Sequence, residues 1–221
     1  MRTMIERRTS VFSLSRFDGM LYPDHLHPQL EIIIPAAGRM TVKVDSQSYL
    51  LQAGEALVVF PNHLHSYVET WDCYGLMLIF SPAILPDLGI DWQATHPTNP
   101  IIAPLCQDAQ YAAARLSFMN PTNDLSREKM ALLHLLVEGL LRNLLLTAAD
   151  KPVEGDLLFS ALSCIAEGYQ EDISLKQIAR QIGCNEYYLS HLFNAQLGIG
   201  FRQYVNLLRL DEAGRLLAQS L

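Results

Sequence analysis

The sequence is poor in charged residues, and the few that it has are not predominantly basic. Only 18% of its 221 residues are charged, and 23 acidic side chains outnumber 16 basic ones. A protein that coats nucleic acid needs an excess of lysine and arginine to neutralise phosphates. The composition therefore excludes a generally basic binder, although it leaves room for a small basic module within the chain.

Cysteine is also scarce, and no two cysteines lie close enough in sequence to form a CxxC pair. The four cysteines are Cys73, Cys106, Cys164 and Cys184. This spacing argues against a zinc ribbon or a redox motif and favours ordinary thiols in a reducing compartment. The N-terminus carries charges without a continuous apolar stretch, so no secretory signal is visible. We expect a cytoplasmic protein.

A long uninterrupted hydrophobic run is missing as well. The most apolar segment, residues 130–149, contains His134, Glu138 and Arg142 at helical spacing on one face. A single polar stripe of this kind is typical of a largely buried helix in a soluble protein and not of a membrane span. We therefore expect no membrane partner.

The pattern of apolar residues changes along the chain. Residues 9 to about 80 carry short apolar segments with turn signals between them, and three of these segments predict strands: Gly38–Asp45, Ala56–Phe60 and Tyr74–Phe80. Closely spaced short strands predict a sandwich or a barrel. After a proline-rich stretch at 81–104, helical periodicity predicts helices at 105–119, 125–147 and 157–169, with a linker at 150–154.

A histidine motif lies within the predicted strands. Gly19, His25, His27, Glu31 and Gly38 form the pattern G-x5-H-x-H-x3-E-x6-G, and His65 offers a fourth ligand. Two imidazoles and a carboxylate that converge inside a barrel suit a divalent first-row transition metal. The pattern resembles the first motif of the cupin superfamily, whose members are small antiparallel barrels. A polar pocket floor without a metal explains the same residues, and in both cases we expect an effector pocket.

A helix-turn-helix pattern extends from residue 175 to residue 196. Gly183 supplies the turn, Ser174 and Gln177 form a capping box, and Asn185 caps the second helix. The exposed side chains that we predict to contact DNA are Lys176, Arg180, Asn185, Glu186, Tyr187, Ser190, His191 and Asn194. Residues 173–209 hold four basic side chains and one acidic one, a local charge of +3 that fits phosphate contact.

Around this pattern the chain resembles the AraC family of bacterial transcription regulators. The resemblance covers about 65 residues and includes Ile178-Ala179, Tyr188-Leu-Ser-His-Leu-Phe193 and Gly198-Ile-Gly-Phe201. It implies that Tyr187, Ser190 and His191 read bases in the major groove, and that an N-terminal cupin sensor accompanies the module. Family members carry two helix-turn-helix units, whereas the sequence to Leu221 accounts for the first unit and the joining helix. We therefore expect weak, strongly salt-dependent DNA binding by this chain alone.

These observations predict a multi-domain protein, with an antiparallel β-barrel (cupin, jelly-roll-like) followed by α-helices and an all-α helix-turn-helix domain. The predicted domains are an effector-binding barrel at 1–95, a helical dimerisation and linker region at 96–150, and a DNA-binding domain at 154–221. The leading hypothesis is a ligand-responsive transcription regulator that is not an enzyme and acts as a homodimer on double-stranded DNA. The alternatives are a metal-dependent cupin enzyme, such as a dioxygenase or isomerase, and a shortened regulator that blocks intact copies.

Overall fold

The computed structural model describes residues 4–5, 10–45, 47–92, 94–148 and 154–219. Within these ranges an N-terminal, sheet-rich part is followed by six α-helices. This order confirms the predicted change from β-structure to helix. The predicted linker at 150–154 falls outside the described residues except for its last position, which begins a helix.

The strands of the described residues form one large sheet and one small sheet. The strands, in chain order, are β1 (Met4–Ile5), β2 (Phe12–Asp18), β3 (Tyr22–Leu26), β4 (Leu30–Val44), β5 (Gln47–Gln52), β6 (Ala56–Val59), β7 (His65–Phe80), β8 (Thr95–Pro97), β9 (Ile101–Ile102) and β10 (Leu146–Ala148). β8 and β10 pair with each other, and the other eight strands form the large sheet. Its pairings are antiparallel except for the parallel pair of β1 and β3.

The long strands β4 and β7 organise the large sheet. β4 pairs with β7 on one side and with β5 and β6 on the other, while β7 also pairs with β2 and β3. The β4–β7 register shifts near Pro35. Gly75 of β7 lies opposite Pro35 and lets the two backbones approach closely at this shift, because a Cβ at this position would collide with the carbonyl oxygen of Ile34.

Alternation along the strands gives the large sheet two different faces. Ile32 and Ile34 of β4 belong to a cluster that also contains helical residues, whereas Ile33 belongs to a second cluster made of residues from the sheet and its turns. Glu31 has the same parity as Ile33 and therefore points to the second face. The candidate ligands lie on this enclosed side of the sheet.

Two helices, α1 (Gln107–Phe118) and α2 (Arg127–Leu141), cover the first face and share its core. The prediction that the second helix extends to residue 147 was wrong. The chain leaves α2 at Leu141 through a turn in which the amide of Asn143 donates to the carbonyl of Leu140, at 3.1 Å. The β-branched Thr147 then pairs with His96 across β10 and β8.

The C-terminal part consists of α3 (Glu154–Gly168), α4 (Leu175–Gln181), α5 (Glu186–Leu197) and α6 (Phe201–Gln219) around one core. The capping box at Ser174, the cap at Asn185 and the left-handed turn at Gly183 (φ 71°) are all present as predicted. These local signals place α4 and α5 as a helix-turn-helix. None of the helices in the described ranges combines the length and the apolar character that a bilayer crossing requires.

The helical core does not end at the domain boundary. Leu26 of β3 and Leu64, which directly precedes β7, belong to the same hydrophobic cluster as Leu158 and Leu162 of α3. β1 also lies against α3. The sheet-rich part and the C-terminal helical part therefore meet along α3.

Candidate functional site

The four ligand-type side chains predicted from the sequence meet on the enclosed face of the large sheet. The structure brings together His25, His27, Glu31 and His65, and one ligand atom of each lies within 4.8 Å of all the others. His25 faces His65 in the β3–β7 pairing, with ring centroids 4.0 Å apart. All four residues are 1–2% exposed. Polar side chains buried this deeply need partners for their charge and hydrogen bonds.

Strand geometry explains how the sequence presents these side chains together. Alternate residues of a strand share a face, so His25 at the end of β3 and His27 just beyond it project to the same side. Glu31 enters near the start of β4, and His65 opens β7. Each ligand thus lies at or beside the end of a strand.

Each imidazole is oriented by a backbone carbonyl oxygen. The Nδ1 atom of His25 lies 2.9 Å from the oxygen of Pro23, that of His27 lies 3.2 Å from Gln29, and that of His65 lies 2.8 Å from His63. A carbonyl oxygen only accepts, so each Nδ1 carries the proton and donates it. This fixes the tautomer that leaves the Nε2 lone pair available, which is the orientation that metal-binding histidines adopt.

Two of the Nε2 atoms point at one carboxylate. His27 Nε2 lies 2.9 Å from Glu31 Oε2, and His65 Nε2 lies 3.4 Å from the same oxygen. Because Nδ1 of each ring already holds a proton, each contact brings two lone pairs together unless a cation lies between them. A proton or a metal ion satisfies this requirement, and one metal ion satisfies both contacts at once.

The electrostatics of the cluster suit a cation. Burial alone would raise the pKa of Glu31, but when a proton fills each of the two contacts, hydrogen bonds from His27 and His65 outweigh burial and hold that pKa well below its usual range. Burial, followed by the neighbouring His65, lowers the pKa of His25 to about 3. A buried carboxylate therefore stays charged beside a neutral imidazole that offers a lone pair.

Three imidazole nitrogens and one carboxylate oxygen form a donor set that suits Zn²⁺, Fe²⁺, Mn²⁺, Co²⁺ or Ni²⁺. The most widely spaced donor atoms lie up to 4.8 Å apart, so an ion midway between them would be farther from each than the usual metal–nitrogen bond of about 2.0–2.1 Å. Ligation would therefore draw these side chains together. The residues present fit a divalent first-row ion, and a Ca²⁺ or Mg²⁺ site would need more oxygen donors.

One partner of the cluster escaped the sequence reasoning. The hydroxyl of Tyr67 donates to Oε1 of Glu31, the oxygen that does not face the histidines. Tyr67 is two residues beyond His65 and so shares its face of β7. The H-x-Y spacing in a strand is the signal that could have revealed it.

A separate cavity of about 370 Å³ is lined in part by His63, which lies two residues before His65 of the cluster. Its polar lining includes Asp45, Gln47, Tyr49 and His63, with apolar Phe60 among its walls. His63 does not join the cluster, because its Nδ1 lies 2.7 Å from Asp45 Oδ2. A cavity with apolar walls and a few polar groups suits a small molecule that carries hydroxyl or amide groups.

The second candidate site is the outer surface of α5. The residues predicted to contact DNA are exposed or half-buried along α4, α5 and the turn between them, namely Lys176, Arg180, Asn185, Glu186, Tyr187, Ser190, His191 and Asn194. Tyr187 is 83% exposed, whereas Leu189 and Phe193 on the opposite side are fully buried. The helix therefore packs through one face and exposes the other to solvent.

Two polar residues in this region have structural tasks. Oδ1 of Asn185 accepts from the amides of Tyr187 and Tyr188, at 2.8 and 3.3 Å, and so caps α5. Arg209 donates to the carbonyls of Tyr169 and Glu171, both at 2.7 Å, which ties α6 to the end of α3. Part of the local positive charge thus stabilises the domain directly.

The two parts match two family descriptions. Residues 10–146 match the AraC-like ligand binding domain, and residues 165–206 match the bacterial regulatory helix-turn-helix proteins of the AraC family. The chain belongs to the AraC family. As a member, it is a ligand-responsive transcription regulator, with an effector-binding domain followed by a helix-turn-helix DNA-binding domain.

Curated relatives of this AraC-family chain are named as regulators. The chain is 22% identical over 214 residues to the "Uncharacterized HTH-type transcriptional regulator YbfI" of Bacillus subtilis (strain 168), covering 92% of this chain and 77% of that protein. It is 23% identical over 228 residues to the "HTH-type transcriptional activator RhaR" of Salmonella schwarzengrund (strain CVM19633), covering 97% of this chain and 80% of that protein.

Solved structures support the same fold. Apo ToxT from Vibrio cholerae strain SCE256 superimposes with a TM-score of 0.54 at 11% identity, covering 96% of this chain and 85% of that chain. Wild-type ToxT from the same strain, with an unsaturated fatty acid bound, gives a TM-score of 0.52 at 12% identity, covering 99% and 84%. At these identities the similarity concerns the fold alone.

Proposed function

We propose that this AraC-family regulator holds a divalent first-row transition metal ion at His25, His27, Glu31 and His65, within its effector-binding domain. The observation that carries the proposal is the backbone carbonyl behind each of the three Nδ1 atoms. With the tautomers fixed in this way, three Nε2 lone pairs and a carboxylate are available to one ion. The positive charge of the ion would balance the negative charge of the buried carboxylate.

Elemental analysis of protein purified without chelator tests the metal site. We expect close to one equivalent of metal, and we expect calorimetric titration of chelator-treated protein with Zn²⁺ to show one tight site. His27→Ala should abolish that site, while His134→Ala, which removes a histidine of α2 outside the cluster, should retain it. Absence of metal together with absence of Zn²⁺ binding would contradict the proposal.

We propose the neighbouring cavity as the place for a small-molecule effector. The support is its size and its mixed lining, in which Asp45 and Tyr49 offer polar atoms beside Phe60. A thermal-shift screen of polyols, sugars and small amides tests this assignment. A ligand that stabilises the wild type but not Tyr49→Phe, which removes only the hydroxyl, would support it.

We propose that α5 enters the major groove and that Tyr187, Ser190 and His191 contact base edges, with Glu186 and Asn194 beside them. Lys176 and Arg180 of α4 would then contact phosphates. Support comes from the exposure of these side chains and from the match of the region to a family of DNA-binding modules. A gel-shift titration with a random pool of duplexes at low and moderate salt tests binding, and no retardation at low salt would refute it for this chain.

We further propose a cytoplasmic homodimer, with the region at 96–150 as the contact between copies. Most apolar residues of α2 are buried within one copy, so the surface available for dimerisation is on α1. Phe118 is 87% exposed and Tyr111 is 58% exposed. Sedimentation of wild type and Phe118→Glu over a concentration series tests this, because only the wild type should associate.

We propose that the ion has no catalytic task. The supporting observations are that both family descriptions and the curated relatives concern regulators, and that the cluster residues are almost completely buried. An oxygen-consumption assay of the metal-loaded protein with aromatic diols would expose dioxygenase activity, which would favour the cupin-enzyme alternative.

A further inference from the structure

Two leucines alternate with the ligands of the histidine cluster. Leu26 lies between His25 and His27, and Leu64 directly precedes His65. Because successive residues of an extended chain point to opposite sides, the histidines face the cluster while the leucines face away from it. Leu26 is fully buried and Leu64 is 7% exposed.

The surface that buries these leucines belongs to the DNA-binding domain. Both are part of one hydrophobic cluster with Leu158, Leu162 and Ile165 of α3, and the same cluster continues to Leu189 of α5. Leu26 and Leu64 are the members of that cluster that come from the sheet-rich domain within the described residues. The backbone that holds the ligands is therefore also the backbone that holds the helical domain.

The ligand segments are tied tightly enough to transmit a displacement. His25 and His65 are paired across β3 and β7, and β3 also pairs with β1, which lies against α3. The amide of Leu64 donates to Asp45 Oδ1 at 3.2 Å, and the carbonyl of the preceding His63 holds the imidazole of His65. A shift of an imidazole therefore pulls on the backbone next to each leucine.

We propose that the transition metal ion is itself a regulatory signal, which the DNA-binding domain receives through Leu26 and Leu64. This inference rests on the proposed metal site and assigns a regulatory role to that site. Ligation draws the most widely spaced donors together from a separation of up to 4.8 Å, and packed interfaces respond to such shifts by changing between discrete arrangements. Metal binding can regulate only if it favours one arrangement over the other, so it must alter the packing of α3.

Backbone hydrogen exchange on the full chain tests the inference directly. Chelator-treated protein is compared before and after one equivalent of Zn²⁺, with metal content measured in the same sample. We expect exchange in α3 to change about tenfold on Zn²⁺ binding, within the range of ordinary allosteric couplings. His27→Ala should show neither bound Zn²⁺ nor this change.

The decisive variant combines Leu26→Ala with Leu64→Ala. It should bind one equivalent of Zn²⁺ and lose most of the exchange response in α3. Leu133→Ala serves as the matched control, since it removes a fully buried leucine from the other face of the sheet and should keep the response. If the double variant does not fold, Leu26→Val with Leu64→Val replaces it, with a response reduced severalfold.

The possible failures are distinguishable. Protein that binds no Zn²⁺ overturns the metal site and with it this inference. Stoichiometric Zn²⁺ that leaves exchange in α3 unchanged overturns the inference alone, as does an undiminished response in the double leucine variant. A change in the random-pool DNA affinity of the wild type on Zn²⁺ addition, about tenfold and lost in the double leucine variant, would confirm it.

Discussion

The two candidate sites of this protein are built in opposite ways. The histidine cluster is buried and assembled from three strands, and its members face one another, with His27 and His65 both directed at the same oxygen of Glu31. The outer face of α5 is exposed, comes from one short segment, and most of its side chains could be replaced without touching the core. Function and stability are therefore coupled in the first site and separable in the second.

The largest effect is expected at the centre of the buried site. Glu31→Ala would leave the Tyr67 hydroxyl without its acceptor and remove the buried charge that His27 and His65 face, so the free energy of unfolding should fall by about 3–5 kcal/mol. Urea denaturation followed by circular dichroism measures this. Glu128→Ala is the control, because Glu128 is 60% exposed in its pair with Arg115 and should cost no more than about 1 kcal/mol. Equal losses in the two variants would remove the distinction between the sites.

The metal should affect stability in a way that only the buried site can produce. At a free Zn²⁺ concentration of about 100 times Kd, binding should add about 2.7 kcal/mol to the free energy of unfolding. Thermal melts with and without chelator measure the difference, and His27→Ala should show none. A shift of the same size in His27→Ala would place the ion elsewhere.

At the exposed site, function should change while stability does not. Tyr187→Ala and His191→Ala should each weaken DNA binding by about 1–3 kcal/mol if they contact bases. Their unfolding curves should match the wild type within about 0.5 kcal/mol, as expected of exposed substitutions. Tyr74→Ala, which removes an exposed tyrosine from the sheet-rich domain, should leave DNA binding unchanged. Fluorescence anisotropy with labelled duplex measures the affinities.

The smallest effect is expected where local structure supports the exposed site. Ser174 accepts from the amide of Gln177 at 3.3 Å and so caps α4. Ser174→Ala should lower the free energy of unfolding by about 1 kcal/mol, since one helical amide loses its acceptor. Ser163→Ala, within α3, is the control for the loss of a hydroxyl that caps nothing. No difference between the two variants would show that the capping box contributes little here.

The helix-turn-helix could be predicted from the sequence in more detail than the end of α2, for a physical reason. The capping box, the Asn185 cap and the turn at Gly183 depend on contacts between residues at most a few positions apart, so they are readable from the chain. The end of α2 was misplaced, because apolar periodicity continues past Leu141 while the chain instead pairs β10 with β8. Periodicity records which residues are buried, and it does not record which partner buries them.

Spacing along the amino-acid sequence was enough to predict the change from strands to helices, the helix-turn-helix and the four candidate ligands, because each leaves a pattern in the chain. The contact of Glu31 with His65, 34 residues away, and the contribution of Tyr67 to the same group follow from the tertiary structure. The position of the leucines beside the ligands, in the core of the DNA-binding domain, follows from it as well. Such meetings depend on strand register and on the packing of distant segments, which no local pattern contains.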